Sequence, residues 1–250
     1  MDDAPLDPAI TLDRLAGEWW IYQLARGHRY STDDVLTAWT ALRARPDAGR
    51  VLDLGCGVGS VGLMALLRLA PAATLTAVEV QAESVALLRR TLAHNGLAGR
   101  VEVRHADLRD AGALDPAARF DLVTANPPYL PVGHALRSPH PQRAAARLEL
   151  HGDVFDYCAR AAAALGEGGR FCFCHSAADP RPAAAIAAAG LVLLARQEVV
   201  ARAGRPPLIA LFTCGRAGAR ADRPPLQVRA ADGTRTAAYR AVRRAMLIEA

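Results

Sequence analysis

Apolar and polar positions along the chain follow two alternating periods, and this alternation predicts an α/β fold. From residue 50 onward, apolar runs of strand length alternate with segments whose apolar residues recur at helical spacing. The predicted strands are 51–54, 74–79, 101–107, 120–125, 170–174, 191–200 and 208–213. The predicted helices between them are 61–69, 84–94, 154–165 and 182–189.

Regular alternation of strands and helices is typical of a doubly wound parallel sheet with helices on both faces. The last two predicted strands are separated by the turn around Gly204, Pro206 and Pro207, which favours an antiparallel hairpin at the edge of the sheet. The sequence therefore predicts an α/β fold with a doubly wound, seven-stranded, mostly parallel sheet.

This pattern fits a single domain over residues 1–250. Its parts are an N-terminal extension, a core and a basic C-terminal segment, at 1–48, 49–216 and 217–250. Within the extension, Ser31 or Thr32 can cap a helix over 35–42 because either hydroxyl can accept a bond from a first-turn amide. In the last segment, the spacing predicts a basic helix over 235–247.

Composition adds a candidate partner to this fold. Hydrophobic residues make up 52% of the chain, which is ample for a core, so disorder is not the default expectation. All 30 basic residues are arginine, and the formal net charge is +5. Because the arginine guanidinium forks onto phosphates and stacks on bases, an anionic partner such as a nucleic acid is a candidate.

Cysteine and histidine positions argue against a disulfide framework or a metal site. The chain has 5 cysteines, an odd number, and neither they nor the histidines show the spacing of a ligand set. The N-terminus lacks the basic and apolar regions of a signal peptide, and no apolar run is long enough to span a bilayer. We therefore expect a cytoplasmic protein, monomeric or homodimeric, without metal or membrane contact.

A glycine-rich turn follows the first core strand and opens a helix. Gly55, Gly57 and Gly59 allow a tight turn and the close approach of a ligand, which a Cβ atom would obstruct. In a dinucleotide-binding fingerprint the third glycine would stand at Ser60, so the turn departs from that pattern. A tight strand-to-helix turn without a ligand is the alternative.

Two acids end the next two predicted strands. Glu79 follows the glycine turn by about 20 residues, where a carboxylate accepts hydrogen bonds from ribose hydroxyls in nucleotide-binding folds. Asp107 is similarly placed to receive an adenine amino group. Each acid alone also fits a solvated carboxylate at a strand end.

The sequence Asn126-Pro127-Pro128-Tyr129 ends the fourth predicted strand. Proline donates no ladder bond and holds the preceding residue extended, so Asn126 should project beyond the carboxyl edge of the sheet. Its amide oxygen and the Pro127 carbonyl suit a planar –NH2 group, and Tyr129 offers a face for a base to stack on. A proline-rich turn with a surface tyrosine is the alternative.

The glycine turn, the strand-end acids and the Asn-Pro-Pro-Tyr sequence together resemble class I S-adenosylmethionine-dependent methyltransferases, which have a Rossmann-like fold. The resemblance implies that residues 53–59 hold the methionine part of the cofactor, Glu79 the ribose and Asp107 the adenine. It assigns cofactor binding to Asp33, Asp53, Gly55, Cys56, Gly57, Gly59, Glu79, Val80, Asp107, Leu108 and Asn126. It assigns catalysis to Asn126, Pro127, Pro128 and Tyr129, in the branch that methylates planar nitrogens.

The flanking stretches resemble the bacterial tRNA(Val) adenine-37 N6-methyltransferase family over nearly the whole chain. These stretches are 11–17, 27–33, 146–152, 225–228 and 232–233. The resemblance implies methylation of an adenine N6 in RNA, with tRNA as the expected partner and the N-terminal extension packed near the cofactor. The chain departs from the family in lacking lysine and in carrying His28 and Tyr30 where phenylalanines are common.

From these residues we expect a reaction driven by positioning. The Asn126 oxygen and the Pro127 carbonyl would accept the two N6 hydrogens and aim the nitrogen at the methyl group, while Tyr129 stacks on the base. Asp33 is expected near the methyl end of the cofactor, or else serves as a first-turn acid of its helix. Arginines flanking the pocket would meet RNA phosphates, namely Arg26, Arg29, Arg137, Arg143 and Arg147.

Three alternatives stay open at this point. A protein-glutamine N5-methyltransferase would use the same geometry, although such enzymes normally carry a larger helical N-terminal domain than residues 1–48 supply. An amine of ribosomal RNA is another possible target. A non-catalytic RNA-binding module could also retain this fold without the activity.

Overall fold

The computed structural model describes residues 9–133 and 140–248, which form two sheets. The strands are β1 (Ile10–Ala16), β2 (Trp19–Leu24), β3 (Arg50–Leu54), β4 (Thr74–Glu79), β5 (Val101–His105), β6 (Phe120–Ala125), β7 (Leu165–Ser176), β8 (Val192–Arg202), β9 (Ile209–Gly215) and β10 (Leu226–Arg229). The helices are α1 (Thr32–Ala44), α2 (Ser60–Arg68), α3 (Ala82–His94), α4 (Pro141–Ala145), α5 (Val154–Ala164), α6 (Arg181–Ala188) and α7 (Ala237–Ala245).

The larger sheet has eight strands in the order β10-β8-β9-β7-β6-β3-β4-β5. Strands β3 to β7 run parallel, and β9 pairs antiparallel with both β7 and β8. The predicted α/β class and antiparallel pair are confirmed, but the predicted count of seven strands is wrong. Strand β10 adds to β8 in parallel, so the pair β8–β9 does not form the edge of the sheet.

The described part of the N-terminal extension contains the separate hairpin β1–β2, which pairs antiparallel and packs beside α3. Asn95, the residue after α3, fastens it there. Its side chain accepts a bond from the Trp20 amide at 2.9 Å and donates to the Trp20 carbonyl at 2.8 Å. After the hairpin, the chain passes through residues 25–31 to α1, which is capped by Ser31 as predicted.

The core consists of two apolar layers on either side of the larger sheet. Side chains of α1, α2, α3 and α7 form one layer, and those of α5 and α6 form the other. Helix α1 packs against β6 and β7. Its capped N-terminus lies close to the carboxyl end of β6, because Asn126, the residue after β6, donates to Asp34 of the first turn. None of the helices in residues 9–133 and 140–248 combines the length and apolarity needed to cross a bilayer.

A candidate active site at the carboxyl ends of the central strands

Strand register brings three predicted site residues to one edge of the sheet. Leu54 of β3 pairs with Val78 of β4 and with Ala125 of β6. The residues that follow these three positions are Gly55, Glu79 and Asn126. Because β4 and β6 lie on opposite sides of β3, this edge is the point where strand order reverses, the usual ligand position in an open α/β sheet.

A cleft opens at this edge and encloses about 870 Å³ of empty space, including its open mouth. The predicted residues that line it are Asp53, Gly55, Cys56, Gly57, Glu79, Val80, Leu108, Asn126 and Pro128. Nine of the predicted positions are therefore brought together around one space.

Glu79 is one of three buried acids that line the cleft, with Asp34 and Asp53, and 4% of its surface is exposed. Its carboxylate accepts a bond from the Gly57 amide at 2.9 Å and one from the Gln81 amide at 2.8 Å. Burial raises the pKa of this carboxyl, and the backbone bonds oppose that shift. The two amides fix one position for the carboxylate and leave it further lone pairs for a ligand.

Gly55 shows why the turn after β3 requires glycine. Its φ is +60°, in the left-handed region, and a Cβ there would overlap the Tyr157 hydroxyl of α5. Burial raises the pKa of the Tyr157 hydroxyl, so this group faces the cleft as a neutral donor. The turn and α5 thus meet at the cleft wall.

Asp53 lies beneath this turn and ties three elements together. Its carboxylate accepts a bond from the Gly62 amide of α2 at 2.9 Å and one from the Thr124 hydroxyl of β6 at 2.7 Å. Only 1% of the residue is exposed, and burial raises its pKa to about 7. Asp53 therefore anchors the turn as well as lining the cleft.

Asn126 is held by two partners from distant parts of the chain. Its Nδ2 donates to Asp34 Oδ1 at 3.0 Å, and its Oδ1 accepts from the Cys174 thiol at 2.9 Å. Asp34 belongs to α1 and Cys174 to β7. The amide is thus oriented from both sides at the mouth of the cleft.

A second, smaller compartment adjoins the cleft and shares Asn126 and Pro128 with it. It encloses about 420 Å³. Its lining residues are His28, Ser31, Asp33, Asn126, Pro127, Pro128, Tyr129, Leu130, Ala146 and Arg147. The Tyr129 ring makes an edge contact with His175 at 5.7 Å between ring centroids, and burial raises the pKa of its hydroxyl to about 12.

Three predicted cofactor residues lie outside the lining of the cleft. Asp107 points to Arg109, whose guanidinium donates to both carboxylate oxygens at 2.9 and 2.6 Å and helps to lower its pKa. Asp33 lines the second compartment instead, and Gly59 precedes α2 at a φ of +90°. The structure therefore separates these three from the nine that meet in the cleft.

Other lining residues were not predicted. Gln142 of α4 is buried and joins two walls, since its Oε1 accepts from the His28 amide at 2.7 Å and its Nε2 donates to Ser84 Oγ at 3.3 Å. Asp34 completes a capping box with Ser31. The spacing of Ser31 and Asp34 was the sequence signal for that box. No sequence signal separated Tyr157 from the other apolar positions of its helix.

A basic groove adjoins the second compartment. Its arginines are Arg26, Arg29, Arg143 and Arg147. Arg147 and His28 line both spaces, so the groove leads directly to the compartment. Arg137, the fifth predicted arginine, lies outside the described residues. Within residues 9–133 and 140–248, no three His, Cys, Asp or Glu side chains form a group that could hold a metal ion.

Comparison with known proteins shows that the middle of the chain is similar to methyltransferases. Residues 35–155 match the model of the methyltransferase small domain family. A tRNA1(Val) (adenine(37)-N6)-methyltransferase from Citrobacter koseri is 34% identical over 147 residues, covering 58% of this chain and 57% of that protein. One from Pedobacter heparinus is 31% identical over 148 residues, covering 58% of each. The match thus spans less than two thirds of these relatives. It confirms the resemblance predicted from the sequence, but over 58% of the chain rather than nearly the whole of it.

Solved structures show the same fold. A predicted O-methyltransferase from Agrobacterium tumefaciens superposes with a TM-score of 0.62 at 24% identity, covering 87% of this chain and 98% of that one. TrmN from Thermus thermophilus superposes with a TM-score of 0.51 at 23% identity, covering 73% and 49% respectively. The Rossmann-like architecture expected from the sequence is therefore confirmed.

Proposed function

We propose that this protein methylates the N6 amine of an adenine in RNA, with tRNA as the substrate and S-adenosylmethionine as the methyl donor. The observation that carries the proposal is the position of Asn126. Asn126 lines both the cleft and the second compartment, so it stands where a cofactor in one space would meet an amine in the other. The similarity to tRNA adenine N6-methyltransferases supports the same activity.

The cleft fits the proposed cofactor. The buried Glu79 carboxylate suits the two hydroxyls of a ribose, and Val80 and Leu108 offer apolar surface to an adenine ring. The backbone at Gly55 and Gly57 would accommodate the methionine part, where a side chain at Gly55 would collide with Tyr157. S-adenosylmethionine supplies an electrophilic methyl group when bound.

The remaining chemistry belongs to the protein. The Asn126 oxygen has a second lone pair beyond the one used by Cys174, and Pro127, whose carbonyl is the second proposed acceptor, lines the second compartment. These two acceptors would hold the amine hydrogens and turn the nitrogen lone pair toward the cleft. Positioning of this kind supplies up to about 7–11 kcal/mol of a reaction barrier. No general base is required, because the methylated ammonium loses its proton readily.

The second compartment suits a base that has left its stack. Tyr129 would cover the base, and extrusion of the target nucleotide gives it access to the reacting atoms. Arg26, Arg143 and Arg147 of the adjoining groove favour a polyanion over a protein amide, because arginine binds phosphate with two parallel hydrogen bonds. The Arg29 guanidinium is already paired with Asp13 at 2.8 Å. This groove supports an RNA substrate over a glutamine side chain.

Nucleoside mass spectrometry tests the proposal. Purified protein is incubated with S-adenosylmethionine and total tRNA, and the digested RNA is analysed for methylated nucleosides. We expect N6-methyladenosine to form, and we expect Asn126→Ala to abolish it while its affinity for S-adenosylhomocysteine, measured by calorimetry, stays nearly unchanged. Absence of any methylated nucleoside, or equal loss of turnover and cofactor affinity in Asn126→Ala, contradicts the proposed function.

A further inference from the structure

We propose that Asp34 is a positioning residue that sets which end of the Asn126 amide faces the second compartment. The reaction that Asp34 would serve is the methyl transfer proposed above, so this inference rests on the proposed function. The hydrogen-bond orientation itself is measurable without turnover.

The position of Asp34 is fixed by a contact other than the one with Asn126. It occupies the third position of α1 and is 5% exposed. Its Oδ2 accepts a bond from the Ser31 amide at 2.8 Å, which completes the capping box. Its Oδ1 accepts from Asn126 Nδ2 at 3.0 Å. One oxygen therefore secures the helix end, and this holds the other in place against Asn126.

The contact decides between two orientations that have nearly the same shape. Rotation of an asparagine side chain by 180° exchanges its oxygen and its NH2 group, so only the hydrogen-bond partners distinguish them. A carboxylate can only accept, so Asp34 requires Nδ2 on its side. Asn126 Oδ1 then faces Cys174, whose thiol donates to it at 2.9 Å.

This orientation matters because the proposed reaction needs an acceptor. An amine nitrogen aimed at the cleft must direct its hydrogens at oxygens, and an NH2 group in the place of Asn126 Oδ1 would oppose them. Asp34 therefore acts through Asn126 and needs no contact with the base. Asp34, the capping acid of α1, would thus determine whether Asn126 presents its oxygen or its NH2 group to the amine.

Asp34→Asn is the variant that separates orientation from helix capping. Its side-chain oxygen can still accept from the Ser31 amide, but an NH2 group would now face Asn126. The Asn126 amide would then prefer the opposite orientation, with its Oδ1 toward position 34. We expect turnover with tRNA to fall by about 100-fold, on the scale of losing one aligned polar group in a transition state. We expect the affinity for S-adenosylhomocysteine and the KM for tRNA to change by less than about 3-fold, because neither depends on that polarity.

A matched control exists on α5. Asp156 occupies the same capping-box position there and accepts a bond from the Asp153 amide at 3.0 Å. Asp156→Asn removes the same charge from the same kind of helix end without touching Asn126. A comparable loss of turnover in Asp156→Asn would reduce the role of Asp34 to helix stability and overturn the proposal.

A reciprocal exchange provides the rescue. In the double variant Asp34→Asn with Asn126→Asp, the new amide donates to the new carboxylate, and an oxygen again faces the compartment. We expect its turnover to exceed that of Asp34→Asn by about 10-fold or more. A double variant no faster than Asp34→Asn contradicts the proposal.

Nuclear magnetic resonance reads the orientation directly. The Asn126 side-chain NH2 signal of ¹⁵N-labelled protein is assigned by its loss in Asn126→Asp. We expect the proton that faces Asp34 to be shifted downfield of its partner, and the shift to disappear in Asp34→Asn but not in Asp156→Asn. An unchanged signal in Asp34→Asn overturns the proposal even if the protein methylates nothing. Loss of the shift without any RNA methylation by the wild type upholds the orientation and refutes the proposed function instead.

Discussion

Glu79 and Asp107 both end strands, and the structure predicts opposite consequences for their loss. Glu79→Gln replaces a buried carboxylate that accepts from two backbone amides, at 2.9 and 2.8 Å. Glutamine has one oxygen and one NH2 group, so one of the two amides would face another donor. A hydrogen bond to a charged group contributes about 1.5–3 kcal/mol. Because the same carboxylate would also hold the ribose, we expect a loss of this size in the free energy of cofactor binding.

A loss of about 1.5–3 kcal/mol corresponds to a roughly 10- to 150-fold weaker affinity. Isothermal titration calorimetry with S-adenosylhomocysteine at 25 °C measures this change. Asp107→Asn is the matched comparison, since Asp107 is held by Arg109 outside the cleft lining. We expect its affinity to stay within about 2-fold of the wild type.

Two results would refute this reasoning. If Glu79→Gln bound S-adenosylhomocysteine as tightly as the wild type, the buried carboxylate would not be a cofactor ligand. If Asp107→Asn lost affinity by a similar factor, Asp107 would have to leave Arg109 and reach the adenine, as the family resemblance implied. Thermal unfolding of both variants without ligand controls for a loss of folding.

Three further predictions concern stability and RNA binding. Gly55→Ala should lower the free energy of unfolding by about 1–3 kcal/mol, because it combines a positive φ with an overlap at Tyr157; denaturant unfolding checks this, and an unchanged midpoint contradicts it. Burial, followed by the charge of Asp34, raises the pKa of Asp33 from 3.8 to about 6, so Asp33 destabilises the fold once it ionises. Asp33→Asn should therefore match the wild type below pH 3.8 and become more stable as the pH rises through 6, by up to about 3 kcal/mol; equal unfolding curves at pH 7.5 would rule this out. Arg143→Ala with Arg147→Ala should reduce the slope of log K against log[salt] for tRNA by about 1.4–1.8, whereas Arg220→Ala, whose arginine is paired with Asp222, should leave it unchanged. Equal slopes for both variants would exclude the groove as a phosphate site.

The central strands were predictable because their apolar residues are consecutive and local. The bounds of β4 and β6 match the sequence pattern, since both strands are buried on two faces and end at a charge or a proline. Strand β10 escaped prediction because it has four residues, of which Leu226 and Val228 alone are buried. Its pairing with β8 is a long-range contact that no local period encodes.

The predicted start of β7 was wrong for a similar reason. The sequence predicted a helix to Leu165 and a strand from Arg170, with the intervening glycines as a break. In the structure, Leu165 already pairs with Phe120, and an irregularity in the register carries the strand across those glycines. Pairing with β6 decides this boundary, and glycine content alone does not reveal it.

The site residues also divide into those that the sequence predicted and those that it could not predict. Asn126 was predictable because the prolines after it impose an extended backbone at a strand exit. Its partners were not, since Asp34 lies 92 positions away in the chain and Cys174 lies 48 positions away. Sequence spacing identifies a reactive group more readily than it identifies what holds that group.

The boundary of the family match suggests where substrate choice is encoded. The match covers residues 35–155 and so includes the glycine turn, Glu79 and Asn126. It begins one residue after Asp34, whereas His28, Asp33 and two of the groove arginines precede it. Most residues that line the cleft thus lie within the matched range, although His28, Tyr30 and Asp34 precede it and Tyr157 follows it. The second compartment takes His28, Ser31 and Asp33 from the chain before that range. Under the proposed function, relatives that share residues 35–155 but differ in the chain before them should bind the same cofactor and accept different amines.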